Sequence, residues 1–353
     1  MTIEKPVFSG THYDMGFQQG KQYGQSIREG IKTLLESEVI KENKPKLLPQ
    51  QLFFAIAKRR AKKLLDKDIL EHLPKQADRL RGVADGASLD FPSILFIQLT
   101  EFLVGCTSIA VTSKILSNAE PVLAKNFDYL TFTEPFNLTC ESNPKEGYRT
   151  ITCKFMPLSG TFDGINEHGL AETYNLAFST DKPEVYVPTS LMLQEMLETC
   201  RSTQEAVNFI LKAKRGGHDA LITLVDPTDD IKTVEISSNH AVVRELTGKY
   251  VLNTNHYLSK EMREIARPPY ENSMLRLSRA EELVSSKKRI DETAIRAILS
   301  DHGAQKTPSR NTICKHDPKA STVRSCIFYP KTKTVNILYG HPCQNQYEQF
   351  TFS

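Results

Sequence analysis

The hydrophobic positions along this chain change their dominant rhythm close to residue 105. Before that point apolar residues recur at helical spacing, three and four apart. Beyond it they alternate with polar residues in short runs rich in Val, Ile, Thr and Phe. A lead strand around Val7-Phe8 precedes a helical pattern from Tyr13 to about Glu38. Gly16, Gly20 and Gly24 recur every fourth residue within it, on one face, where glycine is unfavourable unless another backbone packs closely. A close helix–helix contact is therefore expected; a phosphate-binding turn would want these glycines in a loop after a strand. Further helical patterns span Gln50–Lys67, Ile69–Gly86 and about Phe91 to Val104, the last with Asp90 as cap and Pro92 in its first turn.

After residue 105 the alternation predicts a hairpin, Cys106–Ser113 with Pro121–Phe127, then strands at Arg149–Met156, Gly160–Asn166 and Leu170–Ala177. Helices follow at Thr189–Cys200 and Thr203–Lys214. Strand patterns return at Ala220–Asp226, Thr233–Ser237, Ala241–Leu246 and Tyr250–Asn253. Helical patterns at about Glu271–Lys287 and Asp291–Asp301 precede a last strand pair, Ser321–Tyr329 and Thr334–Gly340. No repeat, low-complexity tract or linker interrupts the order. It predicts one compact α+β body, with two sheets from the second part of the chain and helices outside them.

The junction itself, Glu101-Phe-Leu-Val-Gly-Cys-Thr-Ser-Ile-Ala-Val111, joins the two rhythms. Cys106 there has two readings. One is a buried cysteine opening a core strand, the usual fate of a free cysteine. The other follows if the Gly105–Cys106 bond is cut: one residue then carries a thiol and a free α-amine, a nucleophile beside its own base.

Composition narrows the classes. At 353 residues and 39.9 kDa the chain can bury a large core. A formal charge of +3 gives no electrostatic case for nucleic acid or an anionic membrane, and no apolar run reaches the length of a membrane span. The basic cluster Lys58-Arg-Arg-Ala-Lys-Lys63 reads as a solvated helix face. The seven cysteines (Cys106, Cys140, Cys153, Cys200, Cys314, Cys326 and Cys343) are odd in number, scattered, and form no C-x-x-C pair. That argues against a disulfide framework and against structural zinc, and favours a reducing, cytoplasmic setting. Cys314-Lys-His316 has the look of half a metal site, but no second pair with ligand spacing accompanies it. No metal or organic cofactor is expected. The start, Met1-Thr-Ile-Glu-Lys-Pro6, lacks the apolar region of a secretory signal.

Several short motifs line up with one family: Gly105-Cys-Thr-Ser108, Leu123-Ala-Lys-Asn-Phe-Asp128, Gly164-Ile-Asn-Glu-His-Gly-Leu170 with Asn175, Leu252-Asn-Thr-Asn-His256, Asn272-Ser-Met-Leu-Arg276, and Thr312-Ile-Cys-Lys-His316 leading to Gly340-His-Pro-Cys343. In order and spacing they resemble the acyl-coenzyme A:6-aminopenicillanic acid (isopenicillin N) acyltransferases, N-terminal-nucleophile (Ntn) cysteine hydrolases related to the bile-acid and penicillin V amidases. The resemblance spans nearly the whole chain. It implies a four-layer αββα sandwich with a helical N-terminal region, made as a precursor that cleaves itself. Residues 1–105 would become an α-chain and 106–353 a β-chain, staying associated; a homo-oligomer is compatible with this.

Residue by residue, the resemblance assigns Cys106 as nucleophile and Asp128 as the carboxylate beside the thiol and the α-amine. Asn175 and Asn255 match the pair lining the oxyanion site, where fixed neutral donors meet growing negative charge. Arg276 matches an arginine near the catalytic cysteine, and Ser108 a hydroxyl residue associated with cleavage after Gly105. The amidase relatives carry arginine three residues before the aspartate, at a substrate-binding position. Here it is Lys125, which keeps the charge but loses the forked donor geometry, so bile-salt or penicillin V specificity does not carry over. The expected substrate is a small acyl amide or acyl thioester, with no nucleic acid or membrane partner. The competing readings are a papain-like cysteine protease with His256 or His302 as base, and an uncleaved, non-catalytic ligand-binding protein of the same fold.

Overall fold

The computed structural model describes residues 3–99 and 105–353, with Asn43 by its backbone alone. The expected end of the fourth helix, residues 100–104, lies outside the described residues. Strand β1 (Val7–Gly10) leads into α1 (His12–Glu36), which starts where Thr11 and Asp14 form a capping box. The Thr11 hydroxyl accepts from the Asp14 N–H at 3.2 Å, and the Asp14 carboxylate accepts from the Thr11 N–H at 2.9 Å. A short α2 (Glu38–Asn43) precedes α3 (Gln50–His72), α4 (Pro74–Gly86) and α5 (Phe91–Gln98). The break expected near Asp68 falls instead at Leu73-Pro74. Apolar burial in α3 continues through Leu65 and Ile69, and Pro74, having no N–H, is what ends the ladder and opens α4. Asp90 caps α5 as its sequence predicts, accepting from the Ser93 N–H at 2.8 Å.

The glycine stripe of α1 meets its counterpart on α4. A Cβ on Gly16 would stand 2.0 Å from Arg79 O, and one on Gly20 would stand 2.4 Å from Val83 O. Reciprocally, Cβ atoms on Gly82 and Gly86 would fall 2.1 and 2.3 Å from Tyr13 O and Phe17 O. The two backbones touch, and that close approach is why glycine recurs there.

Among the described residues two sheets form. The eight-stranded sheet has the order β1-β4-β5-β6-β7-β8-β9-β10. It joins β1 to β4 (Asn137–Pro144), β5 (Thr150–Phe155), β6 (Asp163–Asn166), β7 (Ala171–Leu176), β8 (Ala220–Val225), β9 (Ile231–Ile236) and β10 (Ala241–Glu245). The six-stranded sheet has the order β11-β2-β3-β12-β13-β14. Its members are β2 (Gly105–Val111), β3 (Val122–Leu130), β11 (Tyr250–Asn253), β12 (Ala320–Tyr329), β13 (Thr334–Tyr339) and β14 (Glu348–Phe350). One edge strand, β1, comes from before residue 105 and lies parallel to β4, so the sheets are not built from the second part alone. Strand β4 escapes sequence reading because it is polar yet buried. Its Glu141, Ser142 and Asn137 are satisfied by Lys5, Arg79 and Arg324 instead of by water.

The sheets stack through Ala110, Leu123, Ile151, Ile165, Val225 and Phe328. Helices α6 (Thr189–Thr199) and α7 (Thr203–Lys212), with the helices of the first part, cover the eight-stranded sheet; after a short α8 (Lys260–Glu264), α9 (Glu271–Ser285) and α10 (Glu292–Leu299) cover the other. The layer order is helix, sheet, sheet, helix. It is the αββα sandwich of the Ntn hydrolases. Among the described residues no helix is long and apolar enough to cross a membrane.

Candidate active site

Strand β2 lies inside the six-stranded sheet, paired with β3 and β11, and its pleat divides its residues between two faces. Cys106 and Ser108 face the other sheet; Gly105 and Thr107 face α9. Cys106 packs in the apolar cluster that contains Phe127, Tyr129, Phe155, Phe162 and Tyr174. Ser108 Oγ donates to Asn175 Oδ1 of β7 at 2.8 Å, bridging the sheets beside the thiol. On the same inner face the buried Lys125 ammonium donates to Asp163 Oδ1 at 2.5 Å and to the Tyr174 and Phe162 carbonyls. Burial works against the charge on Lys125, but the Asp163 carboxylate overrides it and holds the ammonium pKa above its usual value.

The outer face carries the other half of the site. The Cys106 N–H donates to Asn255 Oδ1 at 2.8 Å, and the same oxygen accepts from Arg276 Nη2 at 2.8 Å. Arg276 Nη1 donates to Thr107 Oγ1 at 2.8 Å and to the Cys106 carbonyl. Asn255 Nδ2 donates to Leu176 O at 3.0 Å, and Asn175 Nδ2 donates to Asn253 O at 3.3 Å. Among the described residues each amide thus uses one of its two protons.

Asp128 lies directly across from Gly105. Its Oδ1 accepts from Thr322 Oγ1 at 2.7 Å. Its Oδ2 is buried and has no hydrogen-bond partner among the described residues. That oxygen stands 3.1 Å from where a Cβ on Gly105 would be, with Arg276 Nη2 at 3.3 Å from the same point. Burial raises the Asp128 pKa, against the opposing pull of Arg276 and Lys315. The Cys106 thiol is pushed up to about 11, chiefly by burial; Lys125 pulls it down, while Asp128 and Asp163 push it further up.

Sequence reading brought Gly105, Cys106, Ser108, Lys125, Asp128, Asn175, Asn255 and Arg276 forward, and the fold gathers all eight around the start of β2. It missed four others. Thr107 anchors Arg276, Thr322 holds Asp128, and Asp163 with Arg324 surrounds Lys125 in a buried ion cluster. Thr322 and Arg324 are two apart and would share a face in a regular strand. A register shift between them puts Thr322 beside Asp128 and sends Arg324 to the inner face, over the Phe127 ring. No sequence signal marks that bulge. Of the histidines weighed as bases, His256 turns its Nδ1 to Ser273 and Thr254, and His302 packs against His316.

The sandwich and the site together define an amide hydrolase or acyltransferase of the Ntn superfamily. The chain belongs to the acyl-coenzyme A:6-aminopenicillanic acid acyl-transferase family, whose sequence profile matches residues 116–344, beginning beyond Cys106. It is 22% identical over 373 aligned residues to the beta-alanyl-dopamine/carcinine hydrolase of Drosophila melanogaster, covering 96% of this chain and 92% of that protein. It is also 22% identical over 258 residues to protein dcd1A of Dictyostelium discoideum, covering 66% of this chain and 58% of the other. Among solved structures, an N-acylethanolamine-hydrolyzing acid amidase ortholog from Caenorhabditis elegans superposes with a TM-score of 0.47 at 16% identity, covering 64% of this chain and 93% of that one. Penicillin V acylase from Agrobacterium tumefaciens gives 0.45 at 18% identity, covering 66% and 83%. Membership of this family removes the papain-like reading, which belongs to a different fold.

Proposed function

We propose that this protein is an Ntn cysteine amidohydrolase or acyltransferase whose nucleophile, Cys106, is released by self-cleavage of the Gly105–Cys106 bond. The observation that carries the reading is the pairing of an anchored Cys106 N–H with an open acceptor beside it. Asn255 Oδ1 holds that N–H, and Asp128 Oδ2, on the Gly105 side, has no hydrogen-bond partner among the described residues. In self-cleavage the Cys106 sulfur attacks the Gly105 carbonyl carbon and the peptide C–N bond breaks. The Cys106 nitrogen takes up a proton, and water then hydrolyses the thioester. Gly105, severed and now a chain end, can withdraw and leave space beside Asp128 Oδ2 for the new ammonium.

The freed α-amine, with an ordinary pKa of about 7.7–8, is then a suitable base for a thiol that burial otherwise keeps protonated. The thiolate attacks an amide or thioester carbonyl, and the second protons of Asn255 Nδ2 and Asn175 Nδ2 stabilise the oxyanion. The amine returns its proton to the leaving amine. Water completes hydrolysis of the acyl-enzyme; an amine acceptor completes acyl transfer. Lys125, its donors engaged by Asp163 and two carbonyls, acts as a fixed positive charge near the thiolate more than as a contact to substrate. The aromatic cluster around Cys106 suits a small acyl group, and β-alanyl amides of aromatic or imidazole amines are the first substrates to try, given the fruit-fly relative. The segments 1–105 and 106–353 would stay together, because β1 is hydrogen-bonded to β4 and the helices of both segments share one core.

Intact-mass analysis with N-terminal sequencing tests this. Wild-type protein is expected as two chains, the larger beginning with Cys106, and Cys106→Ala as one. Cleavage of Cys106→Ala at the same bond would assign the cut to an external protease. An intact wild-type chain whose Cys106 resists iodoacetamide would support the non-catalytic reading instead.

A further inference from the structure

We propose that His302, Cys314, His316 and Cys343 bind one divalent cation of the zinc class, well apart in chemistry from the thiol site. The four come from three segments. His302 follows α10, Cys314 and His316 precede β12, and Cys343 sits in the turn after β13. Their spacing in sequence is why they do not read as a metal motif: only Cys314-x-His316 is local, and the fold supplies the other two ligands.

Four of the six ligand-atom separations match a tetrahedral site. Zinc–sulfur bonds of about 2.3 Å and zinc–nitrogen bonds of about 2.05 Å at tetrahedral angles require S···S of about 3.8 Å, S···N of about 3.6 Å and N···N of about 3.3 Å. Cys314 Sγ and Cys343 Sγ are 3.6 Å apart, His316 Nε2 is 3.4 Å from each sulfur, and the two histidine Nε2 atoms are 3.3 Å apart. The remaining separations, from His302 to the two sulfurs, keep all four atoms within 4.8 Å of one another. Hydrogen bonding does not explain this convergence. His316 Nε2 has three neighbours at 3.3 to 3.4 Å, whereas one in-plane ring nitrogen satisfies one linear hydrogen bond. A cation satisfies all four groups at once. Two thiolates and two neutral imidazoles also leave the metal electrically neutral, and such closed Cys₂His₂ sites are structural. His316 is further fixed by His341, whose ring stacks on it at 3.9 Å and 8°.

The clamp would act on the Asp128 side of the sandwich. Asn126 Nδ2 donates to Leu299 O, ahead of His302, and to Ile313 O, ahead of Cys314. Between Cys314 and His316, the Lys315 N–H donates at 2.9 Å to Thr322 Oγ1, the hydroxyl that holds Asp128. Binding the cation therefore fixes the loop that orients the carboxylate.

The test uses full-length protein from zinc-supplemented culture, desalted, with metal measured by plasma mass spectrometry. About one zinc per chain is expected, falling to about a tenth or less in Cys343→Ser. Cobalt-exchanged wild-type protein should show visible bands of tetrahedral thiolate coordination, absent from the Cys106→Ala,Cys314→Ser pair and retained in Cys106→Ala alone. Should Cys343→Ser fail to fold, the wild-type chain still decides. Mercurial titration of its thiols must release the zinc stoichiometrically, and chelation must lower its melting temperature. Wild-type protein without stoichiometric metal, or one carrying a Cys314–Cys343 disulfide by intact mass, overturns the proposal. So does zinc retained in Cys343→Ser.

Discussion

Asn255→Asp isolates the oxyanion role from the structural one. In the native site Asn255 Oδ1 accepts from the Cys106 N–H and from Arg276, while Nδ2 donates to Leu176 O. Asn255→Leu would remove all three of those hydrogen bonds, at about 1–3 kcal/mol for each buried group left without another partner, enough to threaten folding. Asn255→Asp keeps the size of the side chain and the acceptor oxygen. It replaces only the amide group, so one buried carbonyl loses its donor and the expected destabilisation is about 1–3 kcal/mol. The oxyanion, by contrast, loses one of its two proposed donors, and removal of one such donor lowers kcat by about 10²–10³, or 2.7–4 kcal/mol. The added negative charge beside the Cys106 amine raises the amine pKa, shifting the rising limb of the pH–rate profile upward. The comparison is therefore between plateau values of kcat. Because self-cleavage passes through a similar oxyanion, the assay uses chains confirmed as cut by mass and active-site titration, with an acyl amide that the wild-type protein turns over. A plateau kcat within about twofold of wild type would falsify the assignment of Asn255 as oxyanion donor.

Gly105→Val puts a side chain where Asp128 Oδ2 and Arg276 Nη2 lie 3.1 and 3.3 Å from the Cβ position, so self-cleavage should slow by about tenfold or more while the fold persists. Time-resolved mass spectrometry of freshly purified protein reads this; processing at the wild-type rate removes the steric argument. Gly82→Leu drives a Cβ to 2.1 Å from Tyr13 O, and urea unfolding should register a loss of about 3 kcal/mol, the upper end for overpacking. Glu198 makes an acid-sensitive core contact. Burial pushes its pKa up, but Arg79 at 2.7 Å and His12 at 2.9 Å outweigh that and hold it at about 2, below an ordinary 4.5. The depressed folded pKa makes this stabilisation complete above about pH 4.5 and lost as pH falls toward about 2. It amounts to about 3 kcal/mol, and Glu198→Gln should flatten the acid limb of stability against pH in that window.

Much of this site was legible because its chemistry sits on short, local motifs. Asn-Phe-Asp128 lies near the end of β3 and Asn255 just beyond the end of β11, and the Gly-x-x-x-Gly stripe of α1 encodes its own helix contact. What stayed hidden depends on long-range pairing. Strand β4 reads as loop because its buried polar groups find partners far away in sequence, as Ser142 does with Arg79. Asp163 and Arg324 look like ordinary strand residues until the bulge in β12 and the stacking of the sheets bring them around Lys125. The zinc-type cluster was hidden for the same reason. Its ligands join only when α10, the loop before β12 and the turn after β13 converge.

The pleat of β2 explains why one residue can hold both halves of the proposed mechanism. A strand sends its side chain to one face, whereas its N–H lies in the plane of the sheet and reaches the neighbouring chain. At an interior position of β2 the N–H would be taken by a ladder partner. At Cys106 the pairing with β11 has already ended, since Asn253 opposite Ser108 is the last residue of that strand. The Cys106 N–H is therefore taken by a side chain, Asn255 Oδ1, instead of by backbone. The proposed self-cleavage would then break no ladder hydrogen bond of Cys106, and the new amine would have only the Asn255 side chain to leave in turning toward its own sulfur. In the proposed mechanism Lys125 on the inner face and Asp128 on the outer face would act on different atoms of the same residue, the cation on sulfur and the carboxylate on nitrogen. Exchanging the two charges would raise the thiol pKa and repel the ammonium, so the alternation of β3 itself sets the polarity of the site.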